Sequence, residues 1–297
     1  MLGSLQLLQP TTVAEASGAL RDFSERGKIY AGGAELLLLM RHGFLQSDVL
    51  VDVKKIERLH RITSNDGVLC VGACVTHRNL ETDRRVREHA PSFASAESQV
   101  ANVRVRNQGT LGGNLCFNDP HSDPGTVLLI HNASVTLGSQ RGERQLQLND
   151  FFLDVYETAL EPDEIMLDVQ IPPLPLGMRS AYLRLHRFQR PTLGVAAALR
   201  INDGIIAESR LAVGCIGPKA QRLAELETKI NGNSISDAKR ILAGQKNYFR
   251  NVLLPVDDLL GSADYKLYMT VVLLGQVMEQ VGKGGNGSDQ KNRMTDA

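Results

Sequence analysis

The stretch RNQGTLGGNLCFNDPHSDPG, residues 106–125, concentrates turn-forming residues in a chain of otherwise ordinary composition. It contains four glycines, of which Gly112 and Gly113 are adjacent, and two Asp-Pro pairs. Adjacent glycines let the backbone approach a ligand closely and present N–H groups to it, which suits the oxygens of a phosphate or pyrophosphate. Thr110 and Asn114 flank the pair and add a hydroxyl and an amide.

A second glycine pair lies earlier in the chain, in KIYAGGAELLLL, residues 28–39. Gly32 and Gly33 fall between a predicted strand and a predicted helix, so the backbone turns there as well. Either pair alone is more typical of a tight turn than of a ligand site. Two such pairs in one half of the chain favour a nucleotide ligand.

Two other patterns have competing interpretations. Asp119, His121 and Asp123 alternate in DPHSDP, which permits a metal site, although aspartates in such loops usually bond their own backbone. A single carboxylate that holds sugar hydroxyls is the favoured interpretation. The stretch GKGGNG, residues 282–287, matches a dinucleotide motif as text, but a helix precedes it and a polar tail follows it.

Composition excludes several classes of function. The chain has 297 residues, and 33 Lys and Arg balance 33 Asp and Glu, so no net charge favours nucleic acid or a membrane surface. No apolar run approaches the roughly 20 residues of a membrane span. No export signal is visible, and the four cysteines lack metal-site spacing. We therefore expect a cytoplasmic protein with reduced thiols and no metal site.

The pattern of elements predicts both helices and strands, with a domain border near IPPLPLGM, residues 171–178. Helices and short strands alternate before that border. After it, SAYLRLHRF, LGVAAALRI and IIAESRLAVGCIG predict three strands, the last two joined by a hairpin at 202–204. Helices are predicted at about 220–230, 236–246 and 264–281, followed by a polar tail.

The two glycine loops also carry a resemblance to a known family. YAGGAELL and RNQGTLGGNL, the second followed by Ser-Asp, resemble the two flavin loops of the FAD-binding medium subunit of molybdenum hydroxylases, of the carbon monoxide dehydrogenase and xanthine dehydrogenase type. DVLVDVKKIERLHRITSNDGVLCVGACVTHRNL resembles the family between the loops, and ADYKLY resembles it near the end. The resemblance covers nearly the whole chain.

The resemblance implies an α+β fold, with an FAD-binding domain of the vanillyl-alcohol oxidase and p-cresol methylhydroxylase type over residues 1–175. Its two subdomains would span about 1–54 and 55–175. A small C-terminal domain with a three-stranded antiparallel sheet and helices would follow at 176–282, and a disordered tail at 283–297.

The resemblance also implies a set of cofactor-binding residues. The first loop would cradle the FAD pyrophosphate, the second loop would complete the cradle, Asp123 would hold a hydroxyl-bearing part of FAD, and three apolar side chains would pack against the cofactor. These residues are Ile29, Tyr30, Ala31, Gly32, Gly33, Ala34, Glu35, Leu36, Val100, Thr110, Leu111, Gly112, Gly113, Asn114, Asp123, Met166 and Leu193. The chain departs from relatives at Leu183, where a lysine is common, and at Thr192, where an aspartate is common.

The implied function is electron transfer. Electrons would pass from two 2Fe–2S clusters of a small partner subunit through FAD to an external acceptor. A large partner subunit would carry molybdopterin, as the cytosine dinucleotide, in a dimer of heterotrimers (a heterohexamer). The chain shows no convincing acid–base pair or nucleophile of its own, which suits this role. Two alternatives stay open: a stand-alone flavin reductase of the UDP-N-acetylenolpyruvylglucosamine reductase type, and an assembly module without flavin.

Overall fold

The structure, a computed structural model, describes residues 5–187 and 190–284. Nearly all of the predicted disordered tail, and the second half of GKGGNG, therefore lie outside the described residues. The described residues form three main sheets, each covered by helices.

The first sheet is a small parallel one whose strand order is β1-β3-β2. Its elements are β1 (Gln6–Leu8), α1 (Val13–Phe23), β2 (Gly27–Tyr30), α2 (Leu36–Arg41) and β3 (Val49–Asp52). Helix α1 begins with a capping box, in which Thr12 accepts from the Glu15 N–H and Glu15 accepts from the Thr12 N–H. All four β3 residues are buried, as expected for a strand between two parallel neighbours.

The second sheet is antiparallel, with strand order β4-β5-β10-β6-β7. Six helices separate β5 from β6, and they carry the second glycine loop between α6 and α7. The elements are β4 (Ile62–Asn65), β5 (Val68–Gly72), α3 (His77–Thr82), α4 (Arg84–His89), α5 (Pro91–Glu97), α6 (Val103–Gln108), α7 (Leu111–Phe117), α8 (Pro124–Ile130), β6 (Ser134–Ser139), β7 (Gly142–Gln147), α9 (Leu148–Phe151), β8 (Phe152–Asp154), β9 (Glu157–Thr158) and β10 (Ile165–Ile171). Strands β8 and β9 form a separate small hairpin.

The third sheet is antiparallel and contains four strands in the order β11-β12-β13-β14. Its elements are β11 (Met178–Arg187), β12 (Arg190–Asn202), β13 (Ile205–Gly214), β14 (Gln221–Arg222), α10 (Ala224–Ile230), α11 (Ile235–Ala243), α12 (Lys246–Leu253) and α13 (Ala263–Gly282). The three long strands confirm the prediction, and the hairpin turns at Asp203 and Gly204, both with positive φ. The prediction missed two elements, which are the two-residue strand β14 and the separate helix α12.

Three apolar cores hold these layers together. One lies between α1, β3 and the start of β10. A second fills the space between the middle sheet, its helices and one face of β11 to β13. The third lies on the other face of that third sheet, under α10 to α13. Among the described residues, no helix is both long and apolar enough to cross a bilayer.

Candidate functional site

The two glycine loops lie against each other, although they are far apart in sequence. A Cβ added to Gly32 would come within 3.0 Å of the backbone carbonyl of Gln108, which directly precedes the second loop. Real Cβ atoms do not approach other atoms this closely, so only glycine permits the contact. Gly32 is therefore required for the loops to meet, whether or not a ligand is bound.

The second loop is anchored to the segment that follows β5. The His77 N–H donates to the carbonyl of Gly109 at 3.1 Å, and the Leu111 N–H donates to the carbonyl of Val75 at 3.0 Å. The hydroxyl of Thr110 then accepts from the Gly113 N–H at 3.1 Å and caps α7.

The backbone N–H groups of residues 111–114 are thus already occupied. The Gly112 N–H donates to the carbonyl of Ala73 at 2.9 Å, and a Cβ on Gly112 would lie 2.5 Å from the Cβ of Ala73. Gly112 consequently serves close packing. Gly113 differs because it is exposed, and its Cβ would approach only the Thr110 hydroxyl, at 2.9 Å. Of the two glycines, only Gly113 leaves open space for a ligand.

The first loop has the opposite character, because its donors are free. In the described part of the chain, the backbone N–H groups of residues 32–36 donate no hydrogen bond. Gly33 adopts φ +72°, a conformation that side chains disfavour, and a Cβ there would collide with the ring of Tyr30. All eight residues of the predicted loop, 29–36, are partly exposed. A run of unpaired N–H groups on an accessible turn fits the pyrophosphate of FAD.

One ionisable group lies within the first loop. Glu35 is half-buried, and this burial, together with the nearby charge of Asp119, raises the pKa of its carboxyl. The positive charge of Arg190 opposes this rise. Arg190 also pairs with Asp119 at 3.2 Å, so a residue of the third sheet reaches the neighbourhood of the loop.

Several residues that the sequence assigned to the cofactor are buried in the chain itself. Because they expose almost no surface, they support the loops or the cores and have little area for a ligand. These residues are Val100, Thr110, Leu111, Gly112, Met166 and Leu193. Leu193 is the clearest case, because it is fully buried on the helix-covered face of the third sheet, and its contact with the cofactor stays a prediction.

Asp123 is likewise buried and has its partners within the chain. It is 3% exposed, and its carboxylate accepts from the Tyr182 hydroxyl and from Arg184 Nη1, the latter at 2.6 Å. Arg184 also donates to the carbonyl of Gln99 at 2.6 Å. Burial raises the pKa of the Asp123 carboxyl to about 6, although Arg184 and Tyr182 oppose this rise. The carboxylate therefore joins β11 to the first half of the chain, and its contact with a hydroxyl of FAD stays a prediction.

The DPHSDP loop follows the backbone-bonding interpretation. Asp119 accepts from the backbone N–H of His121 at 2.8 Å, which is a local turn. No cluster of three or more groups able to hold a metal occurs among the described residues.

One residue near the loops was missed from sequence. Lys54 follows β3, and its Nζ lies 3.2 Å from the carbonyl of Ala31 in the first loop. The available signal was its position directly after the strand that pairs with β2.

Comparison with known proteins gives the family. Residues 3–174 match the model of the FAD-binding domain in molybdopterin dehydrogenase. Residues 182–281 match that of the CO dehydrogenase flavoprotein C-terminal domain. The chain belongs to the FAD-binding medium subunits of the molybdenum hydroxylase family. It is accordingly a flavoprotein subunit of an oxidoreductase.

Individual relatives of this medium subunit match along nearly their whole length. The nicotine 6-hydroxylase medium subunit of Paenarthrobacter nicotinovorans is 30% identical over 281 residues, covering 95% of this chain and 98% of the relative. The carbon monoxide dehydrogenase medium chain of Hydrogenophaga pseudoflava is 29% identical over 262 residues, covering 88% and 91%. A solved carbon monoxide dehydrogenase structure from that organism superposes with a TM-score of 0.90 at 28% identity, covering 95% of this chain and 99% of the other.

Proposed function

We propose that this chain is the electron-transfer subunit of a molybdenum hydroxylase complex. Electrons reach FAD on this chain from the 2Fe–2S clusters of a small partner subunit and leave to an external acceptor. The observation that carries the proposal is the first loop, whose free N–H groups form an accessible cradle next to the second loop. Bound FAD supplies a carrier that exchanges electrons singly or in pairs.

Each loop has a distinct task in this proposal. The first loop, residues 29–36, holds the pyrophosphate through the free backbone N–H groups of residues 32–36. In the second loop, Gly113 is exposed and leaves room for the cofactor, and Asn114 beside it is partly exposed. The Leu111 and Gly112 N–H groups bond the second loop to the segment after β5, and the Thr110 hydroxyl caps α7, so the second loop is rigid. This rigidity supports binding, because a preorganised site loses less entropy when its ligand arrives.

The partners are proposed from the relatives, which are named as medium subunits and medium chains. We propose a small 2Fe–2S subunit and a large subunit that holds molybdopterin cytosine dinucleotide, in a dimer of heterotrimers. Large apolar side chains are exposed together on residues 254–268, which supports a protein interface there. They are Leu254, Val256, Leu259, Tyr265 and Tyr268.

The stand-alone reductase alternative is not retained. The C-terminal part of the chain, residues 182–281, matches the flavoprotein domain of carbon monoxide dehydrogenase. No observation on the described residues favours a sugar-nucleotide pocket there.

The proposal is tested by purifying the chain with a tag from its native host. Stoichiometric FAD, iron, sulfide and molybdenum should copurify, with two further subunits. In complex depleted of FAD, the clusters are reduced with dithionite and then mixed with NAD⁺ or with oxygen in separate experiments. Reoxidation of the clusters should be slow with either acceptor. Added FAD should restore the reoxidation rate with one of the two acceptors. A chain that purifies alone without flavin, or clusters whose reoxidation ignores FAD, would overturn the proposal.

A further inference from the structure

A lysine outside both glycine loops is held against the first of them. Strands β2 and β3 pair in parallel, and this register places Asp52 beside Tyr30. Asp52 is buried and caps the short 3₁₀ turn Val53–Lys55 by accepting from the Lys54 N–H at 3.1 Å. Gln9 donates to the other carboxylate oxygen at 3.2 Å. The backbone of Lys54 is therefore fixed where the loop begins.

The side chain of Lys54 turns back onto that loop. Its ammonium lies 2.7 Å from Asp52 Oδ1, 3.2 Å from the carbonyl oxygen of Ala31, and 3.6 Å from the centre of the Tyr30 ring. The same Tyr30 ring is the group with which a Cβ on Gly33 would collide. One cation thus touches the start of the loop and the ring beneath its turn.

The carboxylate that holds this lysine stays ionised. Although burial raises the pKa of Asp52, the hydrogen bonds from Lys54 and Gln9 outweigh it, so the pKa lies below its ordinary value. At neutral pH, Asp52 is a charged anchor for the ammonium. The anchor itself is 5% exposed, whereas the lysine side chain is 40% exposed.

The loop lacks positive charge of its own. A pyrophosphate diester is an anion, and the one charged side chain among residues 29–36 is Glu35, which is acidic. An ammonium has three N–H donors, and the described residues take two of those of Lys54, at Asp52 and Ala31. The third makes no hydrogen bond among the described residues, and the Tyr30 ring, 3.6 Å from the ammonium, leaves this charge partly exposed to an anion on the loop.

We propose that Lys54 supplies the positive charge of the pyrophosphate cradle and holds the loop in its donor-exposing shape through Tyr30 and Ala31. The inference rests on the proposed binding of FAD. A charge-assisted hydrogen bond of this kind corresponds to about tenfold to a hundredfold in affinity. Its contribution should weaken as salt screens the exposed ammonium.

The test uses the purified complex, stripped of FAD and titrated with FAD at low and high potassium chloride. Lys54→Met should raise the FAD Kd about tenfold or more at low salt, with a smaller effect at high salt. Lys54→Arg should bind close to wild type, because it keeps the charge. Lys55→Met is the matched control: it removes the same charge at the next residue, which is exposed and makes no side-chain hydrogen bond or ion pair among the described residues.

The outcomes separate this inference from the function on which it rests. If the wild-type complex binds no FAD, the proposed function itself fails. If wild type binds FAD and Lys54→Met matches Lys55→Met, Lys54 is not part of the cradle. A third outcome would also overturn the inference. If Lys54→Met and Lys54→Arg lose the same FAD affinity at every salt concentration and both unfold at a lower temperature, the role of Lys54 is structural.

Discussion

Gly113→Ala separates ligand binding from folding more cleanly than any change in the first loop. Gly113 lies in the first turn of α7 and is exposed, and its new methyl group would approach only the Thr110 hydroxyl, at 2.9 Å. A shift of a few tenths of an ångström relieves that contact, while alanine favours a helix over glycine by about 1 kcal/mol. We therefore expect the free energy of unfolding of the FAD-free protein to change by no more than about 1 kcal/mol.

FAD binding should respond differently to the same substitution. If the cofactor passes over Gly113, the methyl group occupies space that its phosphate needs. Overpacking of this kind costs about 1–3 kcal/mol, which corresponds to roughly a fivefold to 150-fold rise in Kd.

The assay is a titration of FAD-stripped complex with FAD, followed by flavin fluorescence, beside urea unfolding of the same samples. Gly244→Ala is the matched control, because it adds a methyl to an exposed glycine in ordinary contact, 3.6 Å from the carbonyl of Ile241. An unchanged FAD Kd in Gly113→Ala would refute the assignment of this space to the cofactor.

Three further changes test the fold around the site. Gly33→Ala should lower the free energy of unfolding in urea by about 1–2 kcal/mol or more, because an alanine would have to adopt φ +72° and its methyl group would collide with the Tyr30 ring. Unchanged stability would contradict this prediction. Arg184→Met leaves the Asp123 carboxylate buried without its cation, so calorimetry should show a loss of about 3–5 kcal/mol, partly recovered by adding Asp123→Asn; no recovery would count against the ion pair. Burial lowers the pKa of His131 from 6.5 to about 4, so the stability that is present above pH 6.5 is lost as the pH falls towards 4. In urea titrations, His131→Phe should reduce the stability lost between pH 7.5 and pH 5 by about 2 kcal/mol. An equal loss in both proteins would exclude His131 as its source.

Features governed by short-range rules were predictable from the sequence. The capping box of α1 depends on residues three apart, and the β12–β13 turn depends on an Asp-Gly pair, so both follow from local chemistry. The two glycine loops were found because adjacent glycines mark close backbone approach. What the glycines approach was not predictable: Gly32 meets Gln108 and Gly112 meets Ala73, which are contacts set by the tertiary fold.

The partners of side chains that make long-range contacts were not predictable from the sequence. Asp123 accepts hydrogen bonds from Tyr182 and Arg184, which lie about 60 residues later, and no residue near Asp123 in the sequence indicates these partners. Leu193 shows the same limit, because strand alternation does not say which of the two covered faces of a sheet a side chain occupies. Helix α12 was predictable. Gly244 ends α11, and the apolar residues Phe249 and Leu253 that follow lie one helical turn apart and are buried.

The central claim is that this chain itself holds FAD, without a covalent bond. Native mass spectrometry of the purified complex, with subunits released by gas-phase activation, tests it most directly. The account predicts that this subunit carries the mass of one FAD, that the Gly113→Ala subunit carries less of it, and that acid precipitation leaves the flavin in solution. A flavin-free subunit with FAD retained on a partner, or yellow colour that stays on the acid-precipitated protein, would contradict it.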